Sequence, residues 1–341
     1  MSFNGIPTLD DVARRAGVST ATVSRCLNLP DRVRPETRAR VEAAVAELGY
    51  TPHFAGRALA SNRTNTIGAV IPTMENAIFA LGLQVLQDEL SASDVTLLVA
   101  TSHYDTQREA HQIRALLARG VDGLILIGEA RPEDTYRLLQ ERGIPFVLVW
   151  SHRSDCPHRC VGFDNRAAAR RMAERVLELG HRRIAMIAGV TAWNDRASER
   201  VEGVREALWA RGLVLDPPYL VETAYALDAS AEAAKRLLAL SPRPTAIICG
   251  NDVQAAGAIR GTRESGLAAP RDVSVVGFDD IELATVVEPA LTTVRVPHRR
   301  MGRAAAHLLL RMVGSDDPGE SIAFETGIVE RASLVPPPDM P

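Results

Sequence analysis

Lysine is nearly missing from this 341-residue chain: Lys235 stands alone, in the helical stretch Ala-Glu-Ala-Ala-Lys-Arg-Leu-Leu. A phosphate loop needs Gly-Lys-Ser/Thr after a glycine run, so that motif is excluded, and a Schiff-base lysine would have to be this one residue. Gly-x-Ser-x-Gly, His-Glu-x-x-His and Gly-x-Gly-x-x-Gly are also missing, so no enzyme and no catalytic or metal site is expected. No run of 18 apolar residues exists, which excludes a membrane span of the helical kind. The N-terminal residues lack a basic-then-apolar leader, so a cytoplasmic protein is expected. Cysteine is sparse. Cys26, Cys156, Cys160 and Cys249 fit free thiols in a reducing compartment.

The net charge of −3 does not mark the whole chain as nucleic-acid binding. The charge is uneven, however. Residues 1–62 hold eight Arg and six acids, a balance of +2, which leaves −5 for the remainder. The length predicts two or three units, each burying its own core.

Residues 8–30 carry the strongest local pattern, two short helices joined by a tight turn. Thr8 suits a helix cap, with Asp11 near the positive end of the helix dipole. Val12, Ala13 and Ala16 give the first helix one apolar face, and Gly17 stops it. Ser19 caps the second helix, Val23 and Leu27 face inward, and Thr20, Ala21, Thr22, Ser24 and Arg25 stay outside. This is a helix-turn-helix layout, whose second helix reads base edges in the major groove. A third helix, Pro35 to Leu48, presents Val41, Ala44, Val45 and Leu48, and Gly49 ends it.

Residues 53–61 have room for two turns of helix. A helix that short is marginal alone, and Gly56 weakens it by about 1 kcal/mol relative to Ala. From Thr66 the pattern changes. Apolar runs at 67–72, 95–100, 123–127, 145–150, 184–189, 246–250 and 273–278 alternate with amphipathic stretches such as 77–91, 107–118, 166–179 and 229–240. Strands alternating with helices predict parallel sheets covered on both faces. There are too many strands for one unit, so two subdomains are expected, with ligands at the carboxyl ends of strands. His152, Cys156, His158 and Cys160 are soft ligands within nine residues, but their spacing is that of no recognised zinc finger.

Over almost its whole length the chain resembles the LacI/GalR family of bacterial transcription regulators. Leu9-Asp-Asp-Val-Ala, Ala16-Gly-Val-Ser and Thr22-Val-Ser-Arg-x-Leu-Asn carry the likeness in the first helices. Glu47-Leu-Gly-Tyr-x-Pro52 and Ala55-x-Arg57-x-Leu59 continue it, the latter resembling a hinge helix. Asn251-Asp252, Gly277-Phe-Asp-Asp280 and Leu291-Thr-Thr-Val match the effector core. Shorter patterns, among them Gly128-Glu129, Val161-Gly-Phe-Asp-Asn165 and Pro297-x-x-Arg300, are most similar to the gluconate operon repressor type.

The resemblance implies a helix-turn-helix domain over 1–52, a hinge helix and linker over 53–65, and a periplasmic-binding-protein-like α/β core over 66–335. Within that core it implies an N-subdomain of about 66–163 and 295–320 and a C-subdomain of about 164–292 and 322–335. A disordered tail over 336–341 is expected; it lacks a heptad helix, which favours a homodimer over a tetramer. The implied partners are double-stranded operator DNA of pseudopalindromic sequence and a small-molecule sugar or sugar-acid effector, with no other cofactor. Ser19, Thr20, Ala21, Thr22, Ser24, Arg25, Arg34, Tyr50, Arg57 and Leu59 are the expected DNA-binding residues. Arg25 matches guanine, and Leu59 is a minor-groove wedge. Arg34 stands where the family often has Ser, and Gly56 departs from a helix-favouring residue. Ile78, Phe79, Trp150, Asn165, Asn194, Arg196, Arg200, Tyr225, Asn251 and Asp279 are the expected effector residues. Asp279 and Asn251 also suit plain helix caps or turns, and Phe79 and Trp150 plain core. The alternative within the family is a regulator that uses a corepressor or a non-sugar effector; a periplasmic sugar-binding protein shares the core fold, but residues 8–61 oppose it.

Overall fold

The computed structural model describes residues 6–28, 30–51, 63–75, 77–315 and 317–338. The chain divides into two units, Met1–Thr66 and Ile67–Pro341.

The first unit holds α1 (Leu9–Ala16), α2 (Thr20–Asn28) and α3 (Pro35–Leu48). Thr8 Oγ1 accepts the Asp11 N–H at 3.3 Å, and the Asp11 carboxylate accepts the Thr8 N–H at 3.0 Å. This reciprocal cap satisfies two helix-end donors. Gly17 then takes φ +65°, which a side chain would oppose, and its N–H returns to Ala13 O. Val12, Val23 and Val41, one from each helix, are fully buried together with Cys26 and Tyr50. Arg34 makes no side-chain cap, and Pro35 opens α3 instead. The expected hinge, with Gly56, Arg57 and Leu59, lies outside the described residues.

The second unit contains two six-stranded sheets. The first runs in the order β11 (Ile322–Ala323), β5 (Cys160–Gly162), β4 (Phe146–Val149), β3 (Gly123–Ile127), β1 (Thr66–Ile71), β2 (Thr96–Thr101). The second runs β12 (Gly327–Val329), β10 (Thr292–Arg295), β9 (Ser274–Asp279), β8 (Ala246–Cys249), β6 (Ile184–Gly189), β7 (Leu220–Thr223). The strands from β11 to β1 pair in parallel, and so do those from β10 to β7; β12 is antiparallel to β10. The central strands β1, β3, β6, β8 and β9 are buried at every residue, as sheets covered on both faces require.

The covering helices of the first sheet are α4 (Ala77–Ser91), α5 (Thr106–Ala118), α6 (Glu133–Glu141) and α12 (His298–Gly314). Those of the second are α7 (Asn165–Glu178), α8 (Asp195–Trp209), α9 (Leu227–Leu238) and α10 (Asp252–Glu264), with a short α11 (Leu283–Val286).

The chain crosses between the sheets after β5, after β10 and after β11. The last crossing corrects the expected boundary near 321. Ile322 pairs with Val161 in the first sheet, so the change of subdomain falls at 324–326. A two-residue strand has no periodicity for a sequence reading to detect.

The expected tail is also shorter. The Val335 carbonyl accepts from Ser274 Oγ at 3.1 Å and lies 2.7 Å from His181 Nε2, which anchors the chain up to the prolines. Pro337 and Pro338 are half-buried, and residues 339–341 lie outside the described set.

Candidate functional site

The carboxyl ends of both sheets converge on one cleft, the place where parallel sheets bind ligands. Several cleft residues adopt the left-handed backbone that non-glycine residues avoid: Tyr104 at φ 60°, Trp150 at 63°, Trp193 at 57° and Asp279 at 106°. Such conformations persist only where surrounding structure enforces them, and they cluster at functional sites.

Arg200, on α8, is the hub. Its Nε donates to Asn165 Oδ1 at 2.9 Å and its Nη1 to Gly250 O at 2.5 Å. The guanidinium lies 3.7 Å from the centre of the Phe278 ring, a cation–π stack. Nη2 faces Asp279 Oδ1 at 3.8 Å. Asn165 is itself held by donation from Nδ2 to Trp150 O at 3.0 Å. Trp150 Nε1 donates to His298 Nδ1 at 3.0 Å, which assigns the imidazole proton to Nε2, beside Asp279 O at 3.3 Å. Burial lowers the His298 pKa, against the pull of Asp279. Phe79 packs edge-on to Trp150 at 5.5 Å.

Asp279 is 1% exposed, and neither of its carboxylate oxygens accepts a hydrogen bond. Burial raises its pKa, against the pull of Arg200 and His298. On the adjacent strand end, Asn251 Oδ1 caps α10 by accepting from Gln254 N at 2.8 Å. Its buried Nδ2 has no partner. The turn-closing reading of Asn251 therefore holds for one end of its amide only. Asp280 is different: its carboxylate binds Arg295 and Arg331, each at 2.6 Å, and serves the fold.

Across the cleft, Gly128 closes β3 at φ +69°, and a Cβ there would fall on the Arg196 guanidinium and the Asp195 carboxylate. The next peptide, Glu129 N–H, donates to Asp195 Oδ2 at 2.9 Å and so joins the two subdomains. Asn194 spends its side chain on the start of α8 and on Val190 O. Arg196 pairs with Asp195 at 3.1 Å. Tyr225 stands 5.8 Å from Tyr104. Beside Tyr104 and Arg196 lies a space of about 20 Å³, about one water's worth.

In the first unit, Ser19 Oγ accepts Thr22 N at 3.1 Å and starts α2. Ser19, Ala21 and Arg25 are exposed and Thr20, Thr22 and Ser24 half-exposed, while Val23 is fully buried. Arg34 is exposed; Tyr50, at 6% exposure, packs into the three-helix core.

Two family descriptions match. "Bacterial regulatory proteins, lacI family" covers residues 8–53, and "Periplasmic binding protein-like domain" covers 173–334. The HTH-type transcriptional repressor PurR of Erwinia tasmaniensis is 34% identical over 334 residues, 97% of this chain and 98% of that protein.

The chain belongs to the lacI family of bacterial regulatory proteins.

It is a DNA-binding transcriptional repressor with an effector-binding core. Among solved structures, the lac repressor dimer bound to operator and the anti-inducer ONPF is 27% identical, covers 97% of this chain and 100% of that one, and has a TM-score of 0.85. The complex of the transcriptional regulator CelR with cellobiose is 32% identical, covers 96% and 99%, and has a TM-score of 0.70. LacI-family members bind operator DNA as dimers and answer to small-molecule effectors.

Of the expected effector residues, Trp150, Asn165, Arg200 and Asp279 form one connected network, with Phe79 against the indole and Asn251 at the adjoining strand end. Ile78 is buried beneath, in the shared core. Sequence reasoning missed Tyr104, His298 and the Glu129–Asp195 join. Gly128-Glu129 and Pro297-x-x-Arg300 bracketed two of these positions, but nothing local marked which residue faces the cleft. No helix among the described residues is long and apolar enough to cross a membrane.

Proposed function

We propose that this repressor acts in the cytoplasm on carbohydrate or sugar-acid utilisation genes, gluconate-type among them, and is released from a pseudopalindromic operator by a polyhydroxylated effector. One observation carries the reading. Asp279 offers two buried oxygens without donors, and Asn251 on the neighbouring strand offers a buried N–H without an acceptor. A vicinal diol gives two O–H donors to the carboxylate, and its oxygens accept from the amide; groups left unpaired in a closed site cost about 1–3 kcal/mol each. The apolar floor comes from Trp150 and Phe79. Arg196 suits the carboxylate of a sugar acid.

In the first unit Arg25 and Thr20 read bases, with Ala21 against a thymine methyl. Ser19, Thr22, Ser24, Arg34 and Tyr50 position the module on phosphates. Arg57 and Leu59 complete the interface from the hinge.

A thermal-shift panel of hexoses, disaccharides, aldonic acids and nucleosides tests the effector class. A hydroxylated ligand should stabilise the wild type, with at least tenfold weaker affinity for Asp279→Asn, as expected for losing a hydrogen bond to a charged group. Stabilisation by nucleosides alone, or equal response of the variant, would overturn the sugar reading.

A further inference from the structure

His152, Cys156, His158 and Cys160 are not among the expected DNA-binding or effector residues, and the structure divides them. Cys160 Sγ stands 3.1 Å from Cys156 Sγ, and both are free thiols. His158 instead stacks on the Tyr136 ring at 4.1 Å. Among the described residues no three His, Cys, Asp or Glu side chains gather as a metal site requires. Cys160 opens β5 and is fully buried, whereas Cys156 sits half-buried on the loop before it. A closing movement of about 1 Å brings the sulfurs to bonding distance. Cys26 and Cys249 lie in the separate cores of the first unit and of the second sheet.

We infer that Cys156 and Cys160 are a reversible redox site, oxidised to a disulfide by low-molecular-weight disulfides. The Cys156 thiolate attacks one sulfur of the small disulfide and expels one small thiolate. Cys160, its proton lost to solvent, then attacks the Cys156 sulfur of the mixed disulfide and expels the second. The protein thiols give up two electrons and two protons, and the oxidant leaves as two thiols. Cys156 is the suited nucleophile: it is the accessible one, and the Cys160 S–H holds its pKa below the usual thiol range. Formation of the bond does not depend on reading the cleft as the effector site.

The test equilibrates the full chain in mixtures of oxidised and reduced glutathione, blocks free thiols by alkylation under unfolding conditions, and digests with trypsin. Arg159 separates the cysteines, so Ser154–Arg159 and Cys160–Arg166 stay joined only through a disulfide. The joined pair should appear while Cys26 and Cys249 remain alkylated, and dithiothreitol should undo it. Cys156→Ser should give no joined pair and leave Cys160 alkylated. Alkylation of both cysteines, or a lone glutathione adduct on Cys156, would overturn the disulfide. The readout involves neither an operator nor an effector, so failure of the sugar reading is a separate result.

Discussion

Arg200 Nη2 lies 3.8 Å from Asp279 Oδ1, too far for a hydrogen bond, although both side chains are buried. The arginine is held back by its bonds to Asn165 and Gly250. Its charge opposes the burial that raises the Asp279 pKa, and both carboxyl oxygens stay available to a ligand. A direct salt bridge would have spent the acceptors that a diol needs.

Arg200→Ala removes the counter-charge and leaves Asp279 buried alone. Breaking a buried pair from one side costs about 3–5 kcal/mol. Denaturant midpoints of the core should therefore fall sharply, and Arg200→Ala with Asp279→Asn should recover part of the loss. If the double variant is no more stable than the single, the two side chains are not coupled as described.

Asp252 supplies a pH signature. Its Oδ1 accepts from Thr293 Oγ1 at 2.5 Å and its Oδ2 from Ile281 N at 2.9 Å, yet burial, then Asp279, push its pKa up to about 8. A carboxyl raised above its unfolded value stabilises the fold at acid pH, and that contribution fades as pH rises through the folded pKa. Between about pH 4 and 8 the wild type should lose stability relative to Asp252→Asn. Melting curves of both proteins from pH 5 to 9 check this; parallel curves would contradict the burial argument.

Gly128→Ala tests the join across the cleft. Alanine at a left-handed position costs about 1–2 kcal/mol, and here its methyl would also strike Arg196 and Asp195. Effector affinity should fall at least tenfold, with faster exchange of the Glu129 amide. Wild-type affinity would show that closure does not pass through this contact.

Much of this was legible in the sequence because it rests on local chemistry. The Thr8–Asp11 cap, the Gly17 stop and the Pro35 start are short-range, and the long strands announce themselves as apolar runs. Arg200 and Asp279 were found through resemblance, not through any local signal. The rest depends on approach in space. Tyr104 and His298 reach the cleft from strand ends and crossings that only the closed sheets define. That one end of the Asn251 amide is spent on a cap and the other is not lies beyond any spacing rule. The spacing of Cys156, His158 and Cys160 was visible, but only the fold brings the two thiols together and turns His158 onto Tyr136.

The central claim, that the first unit reads an operator and the core controls it, is tested most directly by selecting bound fragments from sheared genomic DNA at near-physiological salt. Wild type should return a recurrent pseudopalindrome near carbohydrate transport or catabolic genes. Arg25→Ala should lose about 1–3 kcal/mol of discrimination at one symmetric pair of positions. Retention that is sequence-independent, steeply salt-sensitive and identical in the variant would contradict the account.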